Sequence, residues 1–292
     1  MSFSSLKKQS SLGSLTSKLV KEIEKTNTTR GGADERLWKP ELDKSGNGYA
    51  VIRFLPAPDG EDLPWAKVYS HAFQGPGGWY IENSLTTMGG KDPVSEYNRD
   101  LWNSGNDADK DVVRRQKRKL SYYANIYVVK DPVNPHNEGG VFLFKFGKKI
   151  FDKLTAAMQP EFEDETPINP FDFWQGANFK LKIRKVDGYW NYDKSEFDAP
   201  SPLLDDDDAL EALWKKEYPL ADFTAQSNFK SYEDLERRLK SVLGQKQAQR
   251  PRIDEEVVQE DDPTPVAAAA VASAPDADED DALSYFQKLA EE

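Results

Sequence analysis

The sequence predicts an α+β protein that is mainly β: a partly closed β-barrel with helical additions, preceded by a flexible arm and followed by a disordered acidic tail. Three observations carry this expectation. Short runs of strand-forming residues, bounded by Gly, Pro, Asn and Asp, recur between residues 48 and 186. All seven tryptophans lie within residues 35–243, which marks that stretch as the packed core. Residues 244–292 are a low-complexity segment with Pro251, Pro263, Pro265 and Pro275, an alanine tract and many carboxylates, too poor in apolar side chains to offset the entropy of ordering.

In chain order, residues 1–34 are rich in Ser, Lys and Thr and lack aromatics beyond Phe3. Leu12, Leu15, Leu19 and Ile23 recur at spacings of three and four, which predicts one short amphipathic helix, and Gly31-Gly32 reads as a hinge. Strands follow at 48–55, 66–69, 78–81, 121–130, 141–146 and 178–186, the last ending in an Asp187-Gly188 turn. Asn134 to Gly140 makes another turn. Helices are expected at 147–158, 206–217 and 231–243. In the tail, Leu283, Phe286 and Leu289 are spaced three apart, as in a short helix that folds on a partner; a merely solubilising tail is the alternative.

Composition narrows the chemistry. No stretch reaches the roughly 18 apolar residues of a membrane span, and the N-terminus is not a secretory signal. The absence of cysteine excludes disulfides and thiolate metal sites, and His71 and His136 are the only histidines. Net charge is −12, but it is segregated: residues 253–292 hold 13 of the 51 acidic residues against Lys288 alone, so residues 1–252 carry 38 of each sign. The body is neutral, with room for a basic face.

Catalytic motifs are missing: no phosphate loop, no nucleophile elbow and no His-Glu-x-x-His helix is present. The run Asp205-Asp206-Asp207-Asp208 could suggest a metal-dependent nuclease. Four consecutive residues point in different directions on a helix, however, and acids at its start with Lys215 and Lys216 at its end suit the helix dipole. Asp43 to Gly48 begins like a calcium loop, but Phe54 stands where a bidentate carboxylate is required, so a tight turn is the reading.

The binding signal is stronger. Lys110, Arg114, Arg115, Lys117, Arg118 and Lys119 place six cations in ten residues against Asp111, and Tyr122 and Tyr123 follow directly. Strand alternation sends these tyrosines to opposite faces, leaving one, Tyr122 by preference, beside the cations. Phe142, Phe144 and Phe146 share a parity and run into Lys148, Lys149 and Phe151, while Tyr189-Trp190-Asn191-Tyr192 forms an aromatic turn. Aromatic platforms interleaved with cations suit a single strand, whose bases stack and whose phosphates are neutralised; the same contacts permit RNA as well as DNA. A protein- or saccharide-binding module, with its aromatics on sugars, is the alternative.

These residues also carry a family resemblance. Gly46-Asn47-Gly48 with Ala50 to Pro56, Trp79-Tyr80-Ile81-Glu82, Lys117-Arg118-Lys119 with Ser121-Tyr122, Phe146-Gly147-Lys148-Lys149-Ile150, Gly176-Ala177-Asn178-Phe179 and Asn191-Tyr192-Asp193 resemble, in order over about 38–240, the helix-destabilising single-stranded DNA-binding proteins of T-even-type bacteriophages. The resemblance implies a five-stranded OB-fold barrel whose cleft binds the strand, with Arg53, Trp79, Trp102, Tyr122, Phe144, Phe151, Tyr189 and Tyr192 at cleft positions. It implies a non-enzymatic role in phage replication, recombination and repair, in the host cell cytoplasm. Lys7 and Lys8 match, in weakened form, the arm element tied to self-association along DNA. The acidic tail matches the family's contact for other replication proteins in character only. Zinc-holding members use one His and three Cys; here those positions read His71, Ser84, Asp92 and Ser95, so no zinc is expected, with Trp65, Phe73 and Trp79 packing the small subdomain instead.

Overall fold

The computed structural model describes residues 34–162, 164–186 and 189–245. The basic arm with Lys7, Lys8 and the helix expected over 12–23, the Asp187-Gly188 turn, and the tail with Leu283, Phe286 and Leu289 lie outside the described residues.

Among the described residues nine strands form one sheet: β1 (Leu37–Trp38), β2 (Gly48–Phe54), β3 (Ala66–Gly75), β4 (Gly78–Asn83), β5 (Lys119–Lys130), β6 (Val141–Phe146), β7 (Phe179–Val186), β8 (Tyr189–Asn191) and β9 (Glu196–Phe197). Its main path runs β1-β6-β5-β2-β7-β8, with β3 joined to β5, β4 to β3 and β9 to β7. Apart from the parallel β1–β6 pair, every ladder is antiparallel. Register puts like with like. Phe54 faces Ile126, Ile52 faces Val128 and Phe179, Ala50 faces Leu181, and Ala124 faces Phe144. With a side-chain period of two, all of these point to one side and form the main core. Phe54 is its hub, with ring centroids 5.6–5.8 Å from Phe146, Phe171 and Phe179.

The mainly-sheet core forms as expected, but the expected five-stranded barrel is not closed. The strand path is open, and among the described residues no ladder returns from β7 or β8 to β1 or β6. The ends of the path are too short to close it, since β1 has two residues and β8 three. β8 is also where an aromatic turn was expected: Trp190 pairs with Lys185 and Asn191 with Arg184, so the segment is the return strand of a hairpin.

Five α-helices stand among the described residues: α1 (Pro93–Asn103), α2 (Asp107–Gln116), α3 (Lys148–Met158), α4 (Asp207–Trp214) and α5 (Tyr232–Val242). None is long and apolar enough to cross a membrane. The last three fall where predicted. The first two do not appear in the sequence reading, although Asp92 caps α1 just before Pro93 and Asn106 caps α2. Helices α1, α2 and α5 build a lobe on the β3–β4 hairpin, with a core of Phe73, Tyr80, Val94, Leu235, Leu239 and Val242. Phe73 takes the expected place there, its ring stacked 5.1 Å from Tyr80. Trp65 and Trp79 do not: Trp65 packs on Phe151 and Phe171 of the main core, and Trp79 is 51% exposed. Strand alternation explains Trp79, because its neighbour Tyr80 takes the inward position. Gly77 at the hairpin turn must be glycine, since an added Cβ would lie 2.0 Å from the Ser241 carbonyl of α5.

The acidic run has the structural role anticipated for it. Asp206 caps α4 by accepting the amides of Asp208 and Ala209, and Asp207 accepts the Trp174 indole N–H at 2.8 Å. Asp43 likewise closes a tight turn, accepting the amides of Ser45 and Asn47 at 2.8 Å.

Just past α4, both carboxylate oxygens of Glu217 are buried without a hydrogen-bond partner among the described residues. Burial, and then the neighbouring Glu61 carboxylate, pushes its pKa up from 4.5 to about 8. The group is therefore protonated while folded and ionised once unfolded between those values, so unfolding releases a proton and stability falls as pH rises. We predict that native protein loses stability, on the order of 2 kcal/mol after allowance for solvent screening, between pH 5 and 8. Thermal melts of Glu217→Gln should be flatter over that range; an identical pH dependence in both proteins would refute the assignment.

Candidate nucleic-acid interface

The interface begins where α2 passes into β5. Asp107 and Asp109 open α2 while Arg114 and Arg115 close it, the order its macrodipole favours. Lys117 leaves the helix with extended geometry, φ −53° and ψ 145°, and Lys119 starts the strand. One basic run is thus divided between a helix end and a strand start. Two of its helical cations are held by surface pairs three residues apart, Lys110 with Asp107 and Arg114 with Asp111, while Arg115 Nε donates to the Asp111 carbonyl. Such pairs contribute only about 0.3–0.5 kcal/mol, so a phosphate can displace them at little cost.

Along β5 the alternation selects the rest. Leu120 lies opposite Tyr69 and Tyr122 opposite Lys67 on β3, and Phe146 on β6 flanks Tyr122. The Arg118 guanidinium sits 4.1 Å from the Tyr69 ring centroid, and the Lys67 ammonium lies 5.0 Å from the same ring. Tyr122 stacks on Phe151 at 4.0 Å with planes 3° apart, and Trp65 abuts Phe151 edge-on at 5.4 Å. A single face of β3, β5 and β6 therefore carries Lys67, Tyr69, Arg118, Tyr122 and Phe146, with Phe151 of α3 laid upon it. Tyr123 goes to the opposite side and stacks on Phe223 at 4.0 Å. The opposite-face expectation holds, although both rings are covered and Tyr122 is only 6% exposed.

The other predicted residues fall into three places. Phe144, Phe151 and Tyr192 pack in or against the main core with Tyr122, and Phe144 is 4% exposed. Lys148 and Lys149 open α3, Lys148 pairing with Asp152 at 2.9 Å. Trp79, Trp102, Arg114 and Arg115 belong to the lobe, where Lys110 lies 6.0 Å over the Trp102 ring. Tyr189, 53% exposed, stands apart on the β7–β8 hairpin. Arg53 is fully buried: it donates to the carbonyls of Asp172 at 3.0 Å and Ser201 at 2.7 Å, tying three chain segments together. Burial draws its pKa down, with the Asp172 carboxylate opposing. Lys67 and Tyr69 escape the sequence reading; their signal is a cation two residues before an aromatic in a strand, and it acquires meaning only once β3 is paired with β5.

The four positions that the resemblance sets against zinc ligands, His71, Ser84, Asp92 and Ser95, converge. His71 and Asp92 are each 1% exposed, and His71 Nε2 lies 3.2 Å from Asp92 Oδ1. Asp92 Oδ1 accepts the amides of Val94 and Ser95, and its Oδ2 accepts that of Leu85. Burial pushes the Asp92 pKa up, but contacts with His71, the Ser95 amide and the Ser84 hydroxyl outweigh it and hold the carboxyl at about 2. One imidazole, two hydroxyls and a carboxylate already engaged by three amides do not fit zinc, which in structural sites is held chiefly by thiolate and imidazole.

An open, mainly-sheet α+β core bearing a cation-edged aromatic face, with a helical lobe on one hairpin, defines the class of protein. The chain belongs to the family described as gp32 DNA binding protein like, whose model matches residues 46–243. It is 42% identical over 239 residues to the single-stranded DNA-binding protein of Enterobacteria phage T2, and 42% over 238 residues to that of Enterobacteria phage T4, covering 78% of each chain in both comparisons. A shorter relative, the single-stranded DNA-binding protein of Enterobacteria phage RB70, is 41% identical over 115 residues, 37% of this chain and 95% of its own.

The parallel Tyr122–Phe151 stack yields a stability prediction. A double-mutant cycle with Tyr122→Leu and Phe151→Leu should return a coupling of about 0.5–1.5 kcal/mol in urea unfolding. Simple additivity would mean that α3 is not held on the face by this pair.

Proposed function

We propose that this protein is a non-enzymatic single-stranded DNA-binding protein that coats the strand cooperatively, tolerates sequence and lowers duplex stability during phage DNA replication, recombination and repair. The observation that carries the reading is the Arg118–Tyr69–Lys67 stack beside Lys117 and Lys119, where a planar ring is flanked by two cations. A base can stack on the planar Arg118 guanidinium that covers the ring, while its phosphates meet the neighbouring cations, and neither contact depends on the base. Kinship with the phage T2 and T4 proteins supports the same reading.

On this reading the open sheet is an OB-type platform, with β3, β5 and β6 as the binding strands. Arg114, Arg115, Lys148 and Lys149 extend the phosphate path, with Trp79, Trp102, Tyr189 and Tyr192 as further platforms along it. Arg53 shapes the platform from within, through the carbonyls it holds. Lys7 and Lys8 serve self-association along the strand. The tail, through Leu283, Phe286 and Leu289, recruits other phage replication and recombination proteins. The protein works in the host cell cytoplasm and needs no cofactor.

Quenching of tryptophan fluorescence by oligo(dT) and by a duplex, over a range of salt, tests the proposal. Single strands should bind far more tightly, with log K falling against log salt by about 0.7 per phosphate contacted. Equal affinity for both forms, or binding indifferent to salt, would overturn it. Within the same assay Tyr69→Ala should weaken binding roughly 5- to 150-fold, the equivalent of about 1–3 kcal/mol for one stacked base. Arg118→Gln should lower the salt slope by about 0.7.

A further inference from the structure

Beside its apolar core the lobe buries a cluster of polar side chains. Besides His71 and Asp92, the side chains of Ser84 and Asn98 are 0% exposed. Burying such groups is costly unless they hold one another. The Gln116 carbonyl collects two of them, with His71 Nδ1 at 3.0 Å and Asn98 Nδ2 at 3.2 Å. A carbonyl oxygen only accepts, so Nδ1 carries the hydrogen there. The other ring nitrogen approaches Asp92 at 3.2 Å, off the axis of a well-aligned hydrogen bond. Asp92 in turn fixes the start of α1 and the turn at Leu85 through backbone amides.

These contacts join β3, the Leu85 turn, the start and middle of α1, and the last residue of α2. Gln116 immediately precedes Lys117, so whatever holds its carbonyl also sets where the basic run leaves the helix. We infer that the lobe is a metal-independent polar lock: His71, Asp92 and Asn98 hold it in place of a zinc ion, and His71 and Asn98 act as positioning residues for Lys117, Arg118 and Lys119. The second half of this inference rests on the DNA-binding reading above; the first does not.

The test uses the full chain purified without chelator from zinc-supplemented cells. Elemental analysis should find far less than one zinc per chain, and exhaustive chelation should leave both the melting temperature and the oligo(dT) affinity unchanged. One zinc per chain, whose removal lowers the melting temperature, would overturn the lock. Positioning is read from Asn98→Ala, which keeps the His71–Asp92 contact and so retains a folded lobe where His71→Ala could lose it. Assayed well below its melting temperature, it should bind oligo(dT) several-fold more weakly, with the salt slope reduced by about 0.7 as one phosphate contact is lost. Native affinity and slope in that variant would refute the positioning role. If the intact protein shows no preference for single strands, the functional reading falls, while the chelation result still decides the lock.

Discussion

Strand β5 hydrogen-bonds to β3 through Lys119–Tyr123, to β6 through Tyr122–Tyr127 and to β2 from Ile126 to Lys130. A strand shared among three neighbours imposes its alternation on all of them. Tyr122, Ala124, Ile126 and Val128 turn inward and define the main core, while Tyr123 turns to the second cluster with Ala66, Leu143 and Leu220. Sliding β5 by one residue would exchange those sets and place Tyr123 where Tyr122 meets Phe151. The candidate face, the core and the exit of the basic run are thus consequences of one register.

A basic face on a protein of net charge −12 is physically reasonable because the charges are separated along the chain. The acidic excess belongs to residues 253–292, so residues 1–252, with 38 charges of each sign, are neutral as a body. Local pairing matters more. Lys110 and Arg114 of α2 pair with Asp107 and Asp111 on the same helix, and Arg118 and Lys67 lie over the Tyr69 ring.

Much of the fold is legible in the sequence where periodicity is clean. The strands at 48–54, 141–146 and 179–186 and the helices α3, α4 and α5 follow from alternation or helical spacing. Helices α1 and α2 are not, because polar and charged residues outnumber apolar ones in both and their burial depends on a hairpin and on α5, more than a hundred residues away. The site divides in the same way. The basic run and the covering ring of Phe151 can be named from residues 110–151, but Lys67 and Tyr69 need the β3–β5 pairing, which is non-local. Arg53 and Phe144 look like site residues by position, yet alternation and backbone carbonyls draw both inside. The absence of cysteine is plain in the sequence; that His71 and Asp92 meet inside the lobe becomes visible only in three dimensions.

The central claim is that single strands lie on the β3–β5–β6 face. Photocrosslinking of oligo(dT) to the intact protein, followed by peptide mapping, addresses it directly. Crosslinks are predicted on the peptides carrying Tyr69 and the Lys117–Tyr122 stretch. Trp174, 55% exposed and hydrogen-bonded to α4, offers an equally accessible ring elsewhere. Crosslinks confined to Trp174 would contradict the account.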